Sequence, residues 1–244
     1  MAGHSKFANI KHRKGKNDAA RGRIFTRLGR ELAMAVKLGG AEVAGNSRLR
    51  DAIAKAKAEN MPNDTIDRCI KKAAGDINAV NYESATYEGY GPGGVAVIVE
   101  VLTDNRNRAA SSVRNAFTKG GGSLGTQGCV AFLFDEIGQI LVERGNVDED
   151  ELMLLTADAG AQDFLPQEEG YEIITTPDDF NAVHEAVMAA GIETVSAEVT
   201  KKPQTWVELT EPEHVKQIRK MLDLLDDDDD VQNFYTNWTG EEEE

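Results

Sequence analysis

The 244-residue sequence has little cysteine and no long apolar run. Cys69 and Cys129 are far apart and form no C-x-x-C pair. This excludes a disulfide scaffold or a cysteine-rich zinc module and is typical of a reducing compartment. The apolar stretch 95–99 ("VAVIV") has the length of a strand, whereas a membrane helix needs about 20 apolar residues. The N-terminus lacks the apolar core of a secretory signal, so we expect a cytoplasmic protein that is not membrane-bound.

The common motifs of enzyme active sites are also missing. The chain contains neither G-x-S-x-G nor H-E-x-x-H, and His184 and His214 fall in predicted helices, where we interpret them as exposed. The "GPGGVA" stretch (91–96) leads into a strand instead of leaving one, and "GGGSLG" (120–125) lacks the Lys and Ser/Thr of a P-loop. We therefore expect no enzyme, no cofactor and no small-molecule substrate.

Charge is distributed very unevenly along the chain. The formal net charge is −15, yet residues 1–72 hold 17 Lys/Arg against 7 Asp/Glu, a net charge of +10. The remaining residues hold 10 against 35, a net charge of −25. This asymmetry predicts an N-terminal part that binds a polyanion, joined to an acidic body.

The first residues form the candidate binding segment, the basic arm (1–18). They show neither helical nor strand periodicity, and they contain one acid, Asp18. Lys and Arg neutralise phosphates and release counterions, and about six to eight such contacts on duplex DNA give a log-affinity slope against log salt of about −5 to −7. Phe7 can stack on an unpaired base. The candidate nucleic-acid-binding residues in the arm and the following helix are Lys6, Phe7, Lys11, His12, Arg13, Lys14, Lys16, Arg21, Arg23, Arg27 and Arg30.

Histidines in the arm also suggest a metal site. His4 and His12 lie eight residues apart without cysteine or a carboxylate pattern, which makes them weak ligands. We expect them to hydrogen-bond phosphates or bases, and we predict no metal.

A second stretch without acids runs from residue 105 to residue 134. It holds Arg106, Arg108, Arg114 and Lys119 along a predicted helix and its start. Because a helix N-terminus also favours phosphate, this stretch is either a second polyanion contact or an ordinary exposed helix surface. Arg106 and Arg108 complete the set of candidate nucleic-acid-binding residues.

The acidic segment (residues 226–230, five consecutive Asp) stands at the predicted end of a helix, where the helix dipole disfavours it. A divalent cation, a basic partner or the protein's own arm are possible ligands, and a solvated turn is the simplest alternative. A metal-dependent enzyme built on this segment is the least supported hypothesis.

Periodicity divides the chain into helical and mixed parts. Apolar residues at helical spacing predict three helices over 19–75, with ends at Gly39 and Gly75. "GVAVIVEVL" (94–102) and "CVAFLF" (129–134) are predicted strands, and Asn105 is expected to cap a helix over 107–119. From residue 138 the predicted order is β-α-β-β-α-β, that of a ferredoxin-like domain.

The C-terminal part then supplies a helix and a strand without a complete domain of their own. A helix is predicted from Thr210, which forms a capping box with Glu213, and a strand over 231–238 that returns to the earlier sheet. The predicted fold class is therefore multidomain α+β: a three-helix bundle followed by two α+β domains, one ferredoxin-like and inserted in the other. The predicted boundaries are 1–18 (arm), 19–75 (bundle), 76–136 with 203–240 (α+β), 137–202 (insertion) and 241–244 (acidic tail, expected to be disordered).

Four separated segments, in order, resemble the signatures of the YebC/PmpR family. They are "GHSKFANIKHRK", "YEGYGPGGVAVIVEVLTDNRNR", "GGSLG" and "LDDDDDVQNFYTN". Many members have Trp where this chain has Phe7. Phe7 can still stack on a base, but it lacks the indole N–H donor of Trp. The resemblance implies the same three-domain plan and a role for the arm and for residues 103–108.

The resemblance also implies two alternative functions, since the family includes proteins described as transcriptional regulators and others linked to translation. In the first, the protein is a DNA-binding transcriptional regulator. In the second, it is a ribosome-associated translation factor that binds rRNA and relieves stalling at proline-rich stretches. The residues favour neither, because no helix shows a clustered base-reading set and no RNA-module signature appears.

Overall fold

The computed structural model describes residues 18–75, 81–145 and 147–240. Within them the chain forms seven α-helices and eight β-strands, arranged as a helical bundle and two four-stranded antiparallel sheets. The predicted fold class, multidomain α+β with a ferredoxin-like insertion, is confirmed.

The bundle consists of α1 (Asp18–Gly39), α2 (Ser47–Ala58) and α3 (Asn63–Gly75). Leu28 and Leu32 of α1 pack with Leu49 of α2 and Ile66 of α3 in one core. Buried Asn46 joins two of the helices: its Oδ1 accepts from Leu49 N at 3.0 Å to cap α2, and its Nδ2 donates to carbonyls at the end of α1. The predicted helix ends at residues 39 and 75 are confirmed.

The first sheet has the strand order β3-β1-β2-β8. Its strands are β1 (Glu83–Tyr90), β2 (Ala96–Thr103), β3 (Ser123–Leu124) and β8 (Val231–Thr236). The central strand β2 is almost wholly buried and pairs with β1 and β8. Two helices belong to this sheet, α4 (Arg106–Lys119) and α7 (Pro212–Asp226). The predicted return of the last strand to this sheet is confirmed.

The second sheet, with order β5-β6-β4-β7, has the ferredoxin-like topology. Its elements are β4 (Phe134–Glu143), α5 (Glu149–Asp158), β5 (Asp163–Pro166), β6 (Gly170–Thr175), α6 (Phe180–Ala189) and β7 (Thr194–Pro203). Its core joins Ile140 and Ile173 of the sheet with Leu152 and Val183 of the helices. The first strand of this unit, β4, pairs directly with its last, β7.

Chain contacts divide the described residues into two compact units. One contains the described residues of 132–208, and the other contains those of 18–131 with 209–238. The finer boundaries proposed from the sequence stay predictions, and the arm and the acidic tail lie outside the described residues.

Two local predictions are wrong and one strand was missed, each for an identifiable reason. The strand predicted over 129–134 is wrong except for Phe134, which begins β4. Residues 127–130 form a turn and Ala131–Leu133 a 3-10 helix, because the Glu88 carboxylate accepts backbone N–H groups that a strand would use in its ladder. The Thr210–Glu213 capping box is also wrong, since α7 starts at Pro212, whose missing N–H suits the first helical position. Strand β1 was not predicted, because its two buried positions are Glu88 and Gly89, neither of which is an apolar strand-forming residue.

Candidate nucleic-acid interface

The structure describes only part of the predicted binding set. Lys6, Phe7, Lys11, His12, Arg13, Lys14 and Lys16 lie outside the described residues, as does His4, and Arg21 belongs to α1 but its side chain is not described. Arg23, Arg27, Arg30, Arg106 and Arg108 can be placed, and they fall into two groups with different surroundings.

Helix α1 directs its arginines at the acidic segment. Arg23, Arg27 and Arg30 recur at spacings of four and three, which places them on one face of the helix. Arg23 Nη2 lies 3.1 Å from Asp227 Oδ1, and Arg27 Nη1 lies 3.4 Å from Asp226 Oδ1. Arg27 also donates to the backbone carbonyls of residues 226 and 228. The segment therefore binds cations of the first helix.

Asp230 is the buried centre of this network, with a side chain 5% exposed. Its carboxylate accepts from Arg30 Nη1 at 2.7 Å, from Arg108 Nη2 at 2.8 Å and from the Thr103 hydroxyl at 2.9 Å. Arg30 continues to the carbonyl of Asp229 at 2.6 Å. A buried carboxylate with two guanidinium partners and a hydroxyl is fully paired, as burial of a charge requires.

Contacts from α4 and the segment's own backbone complete the network. The Ser112 hydroxyl donates to Asp228 Oδ2, and Asp228 Oδ1 accepts from the backbone N–H of Asp230 at 2.8 Å. The structure thus explains the acids at the end of α7: arginine side chains neutralise them and also pair with carbonyls near the helix terminus, where cations are favourable.

These contacts change the status of three predicted binding residues. The side chains of Arg27 and Arg30 are 15% and 16% exposed, and their guanidinium groups are held by carboxylates and carbonyls. Arg108 pairs with Asp230 and with Asp104, which together raise its pKa, and its hydrogen bond lowers the pKa of Asp104. In this conformation the three guanidinium groups have intramolecular anionic partners in place of a phosphate.

Arg106 lies elsewhere on α4 and is open to solvent. Its side chain is 64% exposed, and Nε is 3.8 Å from the equally exposed Glu83 carboxylate. The predicted cap is confirmed nearby, since Asn105 Oδ1 accepts from Arg108 N at 3.0 Å. On this side of α4 the Tyr87 hydroxyl reaches the carbonyl of Arg106 at 3.5 Å.

A buried carboxylate fixes the loop over residues 125–131, which follows β3. Glu88 of β1, 5% exposed, accepts the backbone N–H groups of Gly128, Val130 and Ala131 at 2.7, 3.0 and 2.9 Å. Burial by itself raises the pKa of Glu88, but the three hydrogen bonds outweigh it, so the pKa lies below its ordinary value. This loop is therefore held in place by a charged side chain.

Other chemistry-bearing residues are dispersed. His184 is half-buried against the Phe180 ring, and His214 is half-buried with Nε2 3.5 Å from Glu211, so both lie in helices as predicted but neither is fully exposed. Across residues 18–75, 81–145 and 147–240, no group of three His, Cys, Asp or Glu side chains is arranged to hold a metal ion. In the same residues, no helix combines the length and apolarity of a membrane span.

Comparison with known proteins covers nearly the whole chain. Residues 5–76 match the model of the TACO1/YebC protein N-terminal domain, and residues 82–238 match that of the TACO1/YebC second and third domain. The chain belongs to the TACO1/YebC family.

Individual TACO1/YebC relatives agree with this assignment. A protein of Lachnoclostridium phytofermentans named probable transcriptional regulatory protein is 61% identical over 98% of this chain and 99% of its own. One of the same name from Acetivibrio thermocellus is 58% identical over 99% of this chain and 100% of its own. The crystal structure of a conserved hypothetical protein from Aquifex aeolicus matches with a TM-score of 0.81 at 43% identity, covering 93% and 94% of the two chains.

The residues that sequence reasoning missed lie inside the TACO1/YebC match. Glu88, which anchors the loop, and Ser112, whose hydroxyl contacts Asp228, were not singled out from the sequence. Thr103, whose hydroxyl contacts Asp230, was named only as part of the family-like segment 103–108. A usable signal was present for Glu88 alone, a carboxylate directly before Gly89 in the stretch that precedes the predicted strand 94–102.

Proposed function

We propose that the protein is a non-enzymatic regulator of gene expression that binds nucleic acid through its basic N-terminal region. The segregation of charge carries this proposal: a net +10 over residues 1–72 precedes a net −25 over the rest. Such a distribution attracts phosphate to one end of the chain and repels it from the other. The family membership and the names of the relatives support a regulatory role.

Duplex DNA is the target that the relatives' names favour, since they are called probable transcriptional regulatory proteins. On this proposal the arm cations and His12 contact phosphates, and Phe7 stacks on a base. Arg21 and Arg106 also contact phosphates, as does Arg23, whose ion pair with Asp227 is partly exposed and can exchange for a phosphate. Arg27, Arg30 and Arg108 bind the acidic segment instead and act by holding α1 against α4 and the end of α7.

A charge-removal experiment tests the arm. Replacing Lys11, Arg13, Lys14 and Lys16 by Ala should weaken binding to duplex DNA and reduce the salt slope by about one unit for each lost phosphate contact. The matched control removes four exposed lysines of the bundle, Lys37, Lys57, Lys71 and Lys72. Equal effects of both sets would show general charge attraction with no special role for the arm, and unchanged binding of the arm variant would refute the proposal.

Crosslinking in cells followed by sequencing identifies the target. Recovery of discrete promoter fragments supports the transcriptional role. Peaks on ribosomal RNA would instead support the ribosome-associated translation factor, and recovery of no nucleic acid would contradict both.

A further inference from the structure

Helix α4 has two polar edges with opposite surroundings. Arg108 and Ser112, four residues apart, face the acidic segment. Arg114 and Thr118, four residues apart, share another edge, about 120° from the first at 100° per residue. One edge is thus committed to intramolecular acids, and the other faces β1.

A groove of about 440 Å³ lies along the second edge. It is formed by α4, β1 and the loop that Glu88 anchors, with Arg114, Thr118, Thr86, Ser123 and Gln127 among its lining residues. β3 and α4 pack closely against β1, since a Cβ on Gly89 would meet Ser123 O at 2.4 Å and the Phe117 ring at 2.7 Å. The shape of the groove is therefore fixed by packing.

The groove presents donors and positive charge. Glu88 is the acidic residue in its lining, and both of its oxygens already accept backbone N–H groups. Arg114 is exposed, and among the described residues no carboxylate lies within ion-pairing distance of its guanidinium. Hydroxyls of Thr86 and Ser123 and the amide of Gln127 add neutral hydrogen-bonding groups.

We propose that this groove binds the sugar–phosphate backbone of a single-stranded nucleic-acid segment, with Arg114 on a phosphate and the hydroxyl and amide groups on the sugar and adjacent phosphate oxygens. The inference rests on the proposed function, nucleic-acid binding through the basic N-terminal region, and adds a separate contact for single-stranded segments. A single strand can enter a concave groove, whereas a duplex presents its phosphates on a convex surface. The polar, open lining also differs from the apolar, enclosing pockets that hold small molecules.

Two variants of the intact protein test the groove with short labelled oligouridylate, oligothymidylate and a duplex of equal length. Arg114→Gln should weaken single-strand binding about tenfold, the value of one charge-assisted contact, and lower the salt slope by about 0.7. Thr118→Glu, which adds an anion to the groove, should weaken it at least as much. Ser111→Glu is the matched control, because it adds the same charge at an exposed α4 position outside the lining.

Each outcome bears on the proposal. Affinity losses confined to single strands support it. The ratio of the losses on oligouridylate and oligothymidylate shows whether the groove prefers RNA or DNA. Crosslinks of 4-thiouridine to peptides of residues 114–127 would show that the bound strand lies in the groove. Wild-type affinity in both variants would overturn the groove and leave the arm proposal intact. Equal losses on duplex, or an equal loss in Ser111→Glu, would also overturn it. If the intact protein bound no oligonucleotide, both proposals would fail.

Discussion

The Glu88 carboxylate is an example of a single side chain that determines the path of a loop. A buried carboxylate is costly unless paired, and here three backbone N–H groups satisfy it. Those N–H groups would otherwise require partners of their own. Side chain and loop are thus mutually dependent, and residues 129–133 form a turn and a short 3-10 helix despite their β-prone composition.

Replacing Glu88 by Gln should lower the free energy of unfolding by about 1.5–3 kcal/mol, because hydrogen bonds to a charged group are lost and an amide nitrogen faces N–H donors. Chemical denaturation measures this change. Glu83→Gln, on the same strand but exposed, should change it by less than about 0.5 kcal/mol. A similar small change in both variants would contradict the role assigned to Glu88.

His184 provides a pH-dependent term. Burial lowers its pKa below the ordinary 6.5, partly offset by Glu185, so the folded protein favours the neutral ring. At pH values below 6.5 the unfolded chain binds more protons at this site, and stability is therefore lost as the pH falls through and below that value. His184→Gln should flatten the change in melting temperature between pH 7.5 and 5.5, and His214→Gln is the comparison variant that shows whether the effect is specific to His184.

Among the elements, α4 shows how one helix can serve two surfaces. Its apolar side is buried through Ala109, Val113, Ala116 and Phe117. One polar edge neutralises the acids after α7, and the other lines the open groove. Arg108 and Arg114 are the same residue type on one helix, and they differ only in their neighbours: Arg108 contacts Asp230, and Arg114 lines the groove.

Asp230→Asn should destabilise the protein by about 3–5 kcal/mol, because it leaves the guanidinium groups of Arg30 and Arg108 without their buried carboxylate. Asp229→Asn is the natural control: residue 229 is exposed and contributes its backbone carbonyl to Arg30. Thermal or chemical unfolding distinguishes the two. Equal, small losses would mean that the acidic segment is a solvated turn.

Element by element, the sequence predicted what local chemistry determines. Asn105 as a cap, Gly39 and Gly75 as helix ends and the β-α-β-β-α-β order were all readable from residue types and spacing. The partners of the acidic segment were not, because Arg30 and Asp230 are 200 residues apart and meet only through the pairing of β8 with β2. The capping box at Thr210 failed since Pro212 offers an alternative start.

For the molecule as a whole, counting cations along the chain overestimates those available to a ligand. If Arg27, Arg30 and Arg108 stay on their carboxylates, about eight candidate cations remain, and the salt slope on duplex DNA should be no steeper than about −7. Salt titration of the intact protein measures it. A slope near −10 would mean that binding releases all three arginines from the acidic segment.

The direct pairing of β4 with β7 brings the two ends of the Phe132–Glu208 unit together, with Gln204 N 2.9 Å from Leu133 O. Because the two ends of this segment are adjacent, the segment connects to the rest of the chain as a turn would. Evolution could therefore have acquired, exchanged or enlarged this module without rerouting the remaining chain. For the experimenter, the same closure marks the point where a reporter domain can be grafted in its place.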